Sequence, residues 1–564
     1  MKSTMLGSGR HERNMRSTPL IISILFIAFV FAFNQVKMLV FVSNSSLEDT
    51  ANSITKELLI DQEEDNEVEA ESLNTGVINA LANEDSDVDE ESDNINIKLG
   101  IAENDAIKDR IDKKTANDPD QSEGKTLNDK KKKMNILVFY ADDWRFDSIG
   151  ALNPLVHTPN LNKLAKEGMI FPQNAVTTSI CWISRATLAT GQHYARHKTK
   201  NIWDPVPFHK HWNETVFGKL TQEGYFTGSV GKWQPGSHQP YMFNVSTNYW
   251  GWHYDGNNVH ITDRNEQDAM DFLTNKRKNV DDPFALFVNF FAPHHHDGQV
   301  GQYFPQNKTK HLYHNITVPF APTCTDEAWK KMPPFINESN EGRIRWHHRF
   351  DEPAKAQIMM KNYYRLISGV DMTVGTILAE LERQNQTENT MIIFTTDNGY
   401  YHAEHGLADK FYAHQESIRV PLIIKDPRMK KELMGTRNDE LTLSIDLAPT
   451  ILQAADINIP DRMQGVDISP LYRVKGTGKE MKEWRRSFYY EFPGITDNSA
   501  LVRVQALVKK DDYKYIYWPD HKYEELFHLP SDRYEEHDLA RNGTFEWKLK
   551  ELREEFKKAQ ADAQ

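Results

Sequence analysis

The rhythm of apolar and polar positions changes along the chain. Short, uninterrupted apolar runs begin at Asn135–Tyr140 (NILVFY) and recur at Phe226–Val230, Phe284–Phe291 (FALFVNFF) and Met391–Thr395. Each is bounded by turn residues and reads as a strand buried on both faces. Between them, Leu161–Gly168 (LNKLAKEG) and Ala356–Arg383 carry apolar residues at helical spacing. Such alternation predicts an α/β fold, a mainly parallel sheet flanked by helices. Beyond about residue 475 the texture shifts to short strands, Ser487–Glu491, Leu501–Lys509 and Tyr513–Trp518, followed by a charged helix from Thr544. That pattern predicts a smaller antiparallel C-terminal subdomain, 475–564, behind a catalytic domain at 134–474.

Upstream of Met134 the rhythm is different. Arg10, Arg13 and Arg16 precede an apolar run, Pro19–Phe33, and a second one, Met38–Val42, separated by Asn34, Gln35 and Lys37. A basic flank before an apolar core reads as a signal anchor or signal peptide over 17–42 behind a cytosolic tail at 1–16. The expectation is a single-pass type II membrane protein of the secretory pathway, in the Golgi or at the cell surface, or a secreted one. Eight Asn-X-Ser/Thr sequons, at Asn44, Asn213, Asn244, Asn307, Asn315, Asn337, Asn385 and Asn542, fit a glycoprotein. Residues 43–133 are acidic and poor in aromatics, which predicts a disordered stem.

Charge and cysteine usage narrow the picture. The net charge of −14 is concentrated between Glu48 and Asp93, where 17 acidic residues face one Lys, so the remainder is near neutral. Nothing there resembles a nucleic-acid-binding face. The two cysteines, Cys181 and Cys324, exclude a disulfide framework.

Ligands of open α/β sheets bind beyond the carboxyl ends of the strands. After NILVFY come Asp142 and Asp143, and after MIIFTT come Asp397 and Asn398. Gly231-Lys232 follows FTGSV, and His294–His296 follow FVNFF. Three carboxylates and an amide oxygen are hard ligands that suit Ca²⁺, with Mg²⁺ second, and do not select zinc. Lysine and histidine beside them could bind an anion and handle protons. Cys181 opens a loop-to-helix segment, CWISRATLATG, where a free cysteine at a helix N-terminus would be an activated thiolate.

Together these residues resemble the formylglycine-dependent sulfatases of the alkaline phosphatase superfamily. The resemblance rests on CWISRATLATG, the paired Asp142-Asp143, Thr396–Gly399 (TDNG), and HGLADK with HQESIRVPLII at His405–Lys410 and His414–Ile424. It implies the family's α/β fold, a sulfuric ester hydrolase, and a modifying formylglycine-generating enzyme as partner. It implies that Cys181 becomes formylglycine, the nucleophile and a metal ligand, and that Asp142, Asp143, Asp397 and Asn398 hold Ca²⁺. It further implies that Arg185 steadies the nucleophile while Lys232, His294, His405 and Lys410 bind or act on the sulfate. Two positions depart from the family pattern: Ile183 stands where the family has Pro or Ala, and Gln234 where it has His. His238 and His197 are the nearby histidines that could replace the latter. The aromatic and histidine-rich stretches 203–212 and 249–260 suit sugar rings, which makes a sulfated carbohydrate the expected substrate. A phosphodiesterase or phosphonate monoester hydrolase of the same superfamily, and a silent glycan binder, remain alternative readings.

Overall fold

A continuous apolar strand needs cover on both faces, and the computed structural model shows how the chain provides it. The structure describes residues 132–200, 209–235, 241–473, 484–495 and 500–564. The main sheet contains β1 (Asn135–Ala141), β2 (Met169–Ile170), β3 (Phe226–Gly231), β4 (Val245–Ser246), β5 (Phe284–Asn289), β6 (Thr390–Thr396), β7 (Ile423–Lys425) and β8 (Thr436–Arg437). Their order is β8-β2-β7-β6-β1-β5-β3-β4. The neighbours from β6 to β4 are all parallel, and only β7 runs against them.

In β1 successive residues serve opposite cores. Leu137, Phe139 and Ala141 join one cluster, and Ile136, Val138 and Tyr140 the other. Helices α1 (Pro159–Glu167), α3 (Ile261–Asp271) and α5 (Pro353–Arg383) cover the first face. Helices α2 (Cys181–Thr190) and α6 (Leu447–Ala454) cover the second. The expected α/β class with its parallel sheet is therefore borne out.

Helix α5 illustrates the link from pattern to site. Met360, Tyr363, Ile367, Val370 and Val374 recur at intervals of three or four and are buried. From this stripe the Tyr363 hydroxyl donates to the Asp143 carbonyl at 2.7 Å and accepts from the Arg145 N–H at 3.0 Å. One side chain thus pins the loop leaving β1.

The antiparallel C-terminal sheet is also present: β9 (Ser487–Phe492), β10 (Val504–Lys509), β11 (Tyr513–Trp518) and β12 (Tyr523–His528) in sequential order. Helix α7 (Glu546–Ala563) covers one face through Leu549, Leu552 and Phe556. The other face, including Tyr490, Ile516 and Trp518, packs on Ile180, Ile183 and Tyr412. The sequence reading missed β12 because charged Glu524 and Glu525 mask its pattern; Glu525 is buried and accepts from the Trp518 indole at 2.7 Å.

The expectation of a type II membrane protein is corrected. No helix among the described residues is long and apolar enough to cross a membrane. The longest, α5, has charged residues along its length, including Lys355, Arg365 and Glu382. The segments 1–16, 17–42 and nearly all of 43–133 lie outside the described residues, and the 15-residue run Pro19–Phe33 falls short of the roughly 20 residues a span needs. Asn44 lies there too, whereas the other seven sequon asparagines are all exposed.

Tyr363→Phe should leave the Asp143 carbonyl and the Arg145 N–H, both buried, without partners. Denaturant unfolding should register a loss of about 1–3 kcal/mol; an unchanged midpoint would show that the hydroxyl does not hold this loop.

Candidate active site

Strand register brings the polar residues to one level. Ala141 of β1 pairs with Thr396 of β6, so Asp142-Asp143 and Asp397-Asn398 leave the sheet side by side. Tyr140 pairs with Asn289, which in turn pairs with Gly231, so the chain ahead of His294 and the turn into Lys232 emerge beside them. Gly231 has φ +97, and a Cβ there would lie 2.0 Å from the Asn289 carbonyl oxygen; only glycine allows Lys232 this position.

Cys181 is the first residue of α2, and Arg185, one turn later, shares its face. The Arg185 guanidinium lies 2.9 Å from Asp142 and 2.8 Å from Asp397, and it donates to the Lys232 carbonyl at 3.0 Å. The Cys181 thiol donates to Asp142 Oδ1 at 3.4 Å. Lys232 pairs with Asp142, and Lys410 pairs with Asp143. His294 Nε2 stands 3.5 Å from Asp143 Oδ2. Asp142, Asp143, Asp397 and Asn398 are fully buried. Asp143 holds the left-handed conformation at φ 58, as do Asp409 (φ 80) and Phe411 (φ 90) on either side of Lys410. Such conformations in non-glycine residues concentrate at functional sites.

The electrostatics follow from this crowding. Burial opposes ionisation of Asp142, yet Lys232 above all, with Arg185 and Lys410, outweighs it and holds the carboxyl below the usual range. Asp143 is pushed up to about 8, by burial and by Asp142, despite Lys410. Asp397 rises to about 6, through burial and Asp142. Burial drives His294 well below its ordinary range, with Lys232 and Lys410 adding to the effect, so its ring is neutral. Burial and Asp142 also raise the Cys181 thiol, which corrects the expected activated thiolate: the free cysteine is a thiol held against a carboxylate.

The donor set fits a hard divalent cation. Asp143 Oδ2 and Asn398 Oδ1 are buried and accept no hydrogen bond. The Asn398 amide nitrogen donates to Asp143 and to the Gly399 carbonyl, which leaves its oxygen free. Donor atoms of Asp142, Asp143, Cys181 and His294 all lie within 4.8 Å of one another. A cation among oxygen ligands satisfies acceptors that otherwise stand unpaired at a cost.

A cavity of about 260 Å³ opens above Cys181 and is lined by Lys232, Gln234, His294 and Lys410, among others. Of the predicted site residues, Cys181, Lys232, His294 and Lys410 line this cavity, Arg185, Asp142, Asp143, Asp397 and Asn398 are buried in the network that pairs with them, and His405 stands apart. Its ring stacks on His414 at 4.4 Å and meets Tyr401 edge-on, and its backbone N–H donates to the Thr323 carbonyl. The turn that delivers Lys410 packs His405 into the protein interior, away from the residues that line this cavity. His197 bonds Thr187 on α2 at 3.1 Å and lines a different cavity, and His238 lies outside the described residues. The aromatic stretches divide: Trp212 is core, Trp250 lines the cavity, and His253 and His260 bond backbone carbonyls.

Sequence reasoning missed the support behind Lys410. Asp409 lies 3.3 Å from Lys410 and pairs with Arg345, with Arg349 at 3.8 Å. Both arginines project from α4 (Glu341–Arg349) at positions four apart, and that spacing beside the acid in LADK was the available signal.

Residues 134–457, more than half of the chain, match the Sulfatase family, and 403–562 match the C-terminal region of N-sulphoglucosamine sulphohydrolase. The chain is 24% identical over 491 residues to an N-acetylglucosamine-6-O-sulfatase of Bacteroides thetaiotaomicron, covering 75% of this chain and 85% of the relative. It is 27% identical over 399 residues to an extracellular sulfatase SULF-1 homolog of Drosophila melanogaster, covering 66% of this chain and 34% of that one. Its fold is similar to a protein solved with its substrate D-glucosamine-2-N,6-O-disulfate, at TM-score 0.64 and 22% identity, covering 77% and 98% of the two chains. It is likewise similar to a phosphonate monoester hydrolase of Agrobacterium radiobacter, at TM-score 0.61 and 18% identity, covering 77% and 96%. The chain belongs to the sulfatase family and is a sulfuric ester hydrolase.

Proposed function

We propose that this enzyme removes sulfate from a sulfated carbohydrate of the glycosaminoglycan type, using formylglycine made from Cys181 and Ca²⁺. The observation that carries this reading is the placement of Cys181. It heads a helix, lies 3.4 Å from Asp142, and opens onto a cavity shared with Lys232, His294 and Lys410. The N-acetylglucosamine-6-O-sulfatase relative supports the substrate class.

In this reading Asp142, Asp143, Asp397 and Asn398 hold the cation. Formylglycine supplies an oxygen nucleophile for sulfur, and the cation supplies a Lewis acid beside it. The remaining work falls to the chain's own side chains. Lys232 and Lys410, both kept charged by neighbouring carboxylates that offset burial, present two ammonium groups to the sulfate oxygens. Arg185 cannot swing away, because Asp142, Asp397 and the Lys232 carbonyl all fix it. Neutral His294 can donate to or accept from the ester without adding charge. Since the Cys181 thiol is buried and protonated, conversion by a formylglycine-generating enzyme is what gives this position its reactivity.

Peptide mass spectrometry of protein made in a host with that enzyme should find formylglycine at 181. Cys181→Ala should lower turnover of a sulfated sugar by at least about 10³-fold. Only free thiol in the active enzyme would sink the reading, and so would faster hydrolysis of phosphate or phosphonate esters than of sulfate esters.

Removing the ion tests the cation site. Asp143 and Asp397 bind protons more tightly in the fold than at their ordinary 3.8, so a divalent cation competes with protons at low pH. Their protonated forms also stabilise the ion-free protein, a contribution lost as pH rises through about 6 for Asp397 and about 8 for Asp143. Adding Ca²⁺ to EDTA-treated protein should therefore raise Tm more at about pH 8 than at about pH 5.5. An equal or reversed increment would count against this ligand set.

A further inference from the structure

We infer that the mouth of the Cys181 cavity selects a monosulfated sugar residue whose other substituents are hydrogen-bond donors, with Asp297 as the specificity-determining group. The inference rests on the sulfatase reading and concerns what surrounds the sulfate.

The cavity has two chemically different ends. Toward Cys181 stand Lys232, Lys410 and His294; toward solvent stand Trp250, Asp297, Glu341 and Arg345. At the outer end the positive group is already engaged. Arg345 pairs with Asp409, its Nε donates to Glu341 at 2.7 Å, and its Nη1 lies 3.7 Å from Asp297 Oδ1, so three carboxylates share one guanidinium. The acceptors there are not spent. Asp297 is held through Oδ1 alone, and its side chain is 65% exposed. Glu341 is bonded through Oε1 alone. Deeper in the cavity, Gln234 is 6% exposed, and its Oε1 accepts no hydrogen bond. A ligand filling this space meets acceptors from three side chains and an aromatic ring, which suits a sugar bearing hydroxyl or amino groups.

Asp297 is set in place by a chain of buried groups. Arg349 Nη1 donates to the Tyr400 hydroxyl at 2.7 Å. That hydroxyl lies 3.2 Å from His295 Nδ1, and His295 Nε2 lies 2.6 Å from Asp297 Oδ1 and 3.1 Å from Arg345 Nη1, so ring and guanidinium together hold the carboxylate. Two fully buried side chains thus aim a carboxylate at the cavity mouth. A second anionic group on the same sugar, such as an N-sulfate, would meet that carboxylate and be repelled, whereas a free amine would be attracted.

The test compares glucosamine 6-sulfate with N-sulfoglucosamine 6-sulfate on the full, modified enzyme. Wild type should show at least about tenfold lower KM for the free amine, with kcat differing far less. Asp297→Asn should bring the ratio toward one, and Asp297→Lys should invert it, with Tm checked to confirm folding. Equal KM for the two sugars in wild type, or a ratio unmoved by Asp297→Lys, overturns the inference. Failure to hydrolyse any sulfate ester, aryl sulfates included, would instead defeat the sulfatase reading. In that case binding of the same two sugars to Cys181→Ala protein still decides the preference.

Discussion

The site depends on one electrostatic constraint: three carboxylates, Asp142, Asp143 and Asp397, stand fully buried side by side. Parallel pairing of β1 with β6 forces this, because the residues after Ala141 and Thr396 leave the sheet at the same level. Close carboxylates raise one another's proton affinity, and burial adds to it. The fold answers with cations from three separate elements: Arg185 from α2, Lys232 after β3 and Lys410 from the loop beyond β6. A buried charge that loses its partner costs about 3–5 kcal/mol, so these elements cannot shift independently. The groups proposed to bind the sulfate thereby hold the sheet edge, α2 and the Lys410 loop together.

How much of this the sequence made legible follows from what kind of signal each part leaves. The sheet was readable because strands buried on both faces leave continuous apolar runs, and their polar successors stood at fixed positions after them. Lys232, which pairs with Asp142, was readable for the same reason, whereas Arg185 and Lys410 were named through the family resemblance. Geometry supplied by long-range packing was not. His405 lies in the same motif as Lys410, yet backbone turns at Ala403, His405 and Asp409, all with positive φ, point them in different directions. Asp297 looks like a turn residue in the sequence, and only the Arg349–Tyr400–His295 chain shows it to be positioned. The thiolate expectation failed because helix N-terminal position favours the anion, whereas burial beside Asp142 opposes it more strongly.

The two departures from the family pattern now have different physical meanings. Ile183 is buried among Ile180, Tyr412, Tyr490 and residues of the C-terminal sheet, so its side chain serves packing between that sheet and the catalytic loops. Gln234 lines the cavity itself. An amide can donate and accept hydrogen bonds but exchanges no proton at physiological pH. In the proposed reading this leaves Lys232, Lys410 and His294, among the described residues lining the cavity, to manage protons. Burial keeps the His294 ring neutral, and Lys232 and Lys410 add to the effect. In the proposed reading, a bound sulfate would lessen the lysines' opposition to protonating His294, which gives a site with glutamine in place of histidine a route to acid–base chemistry.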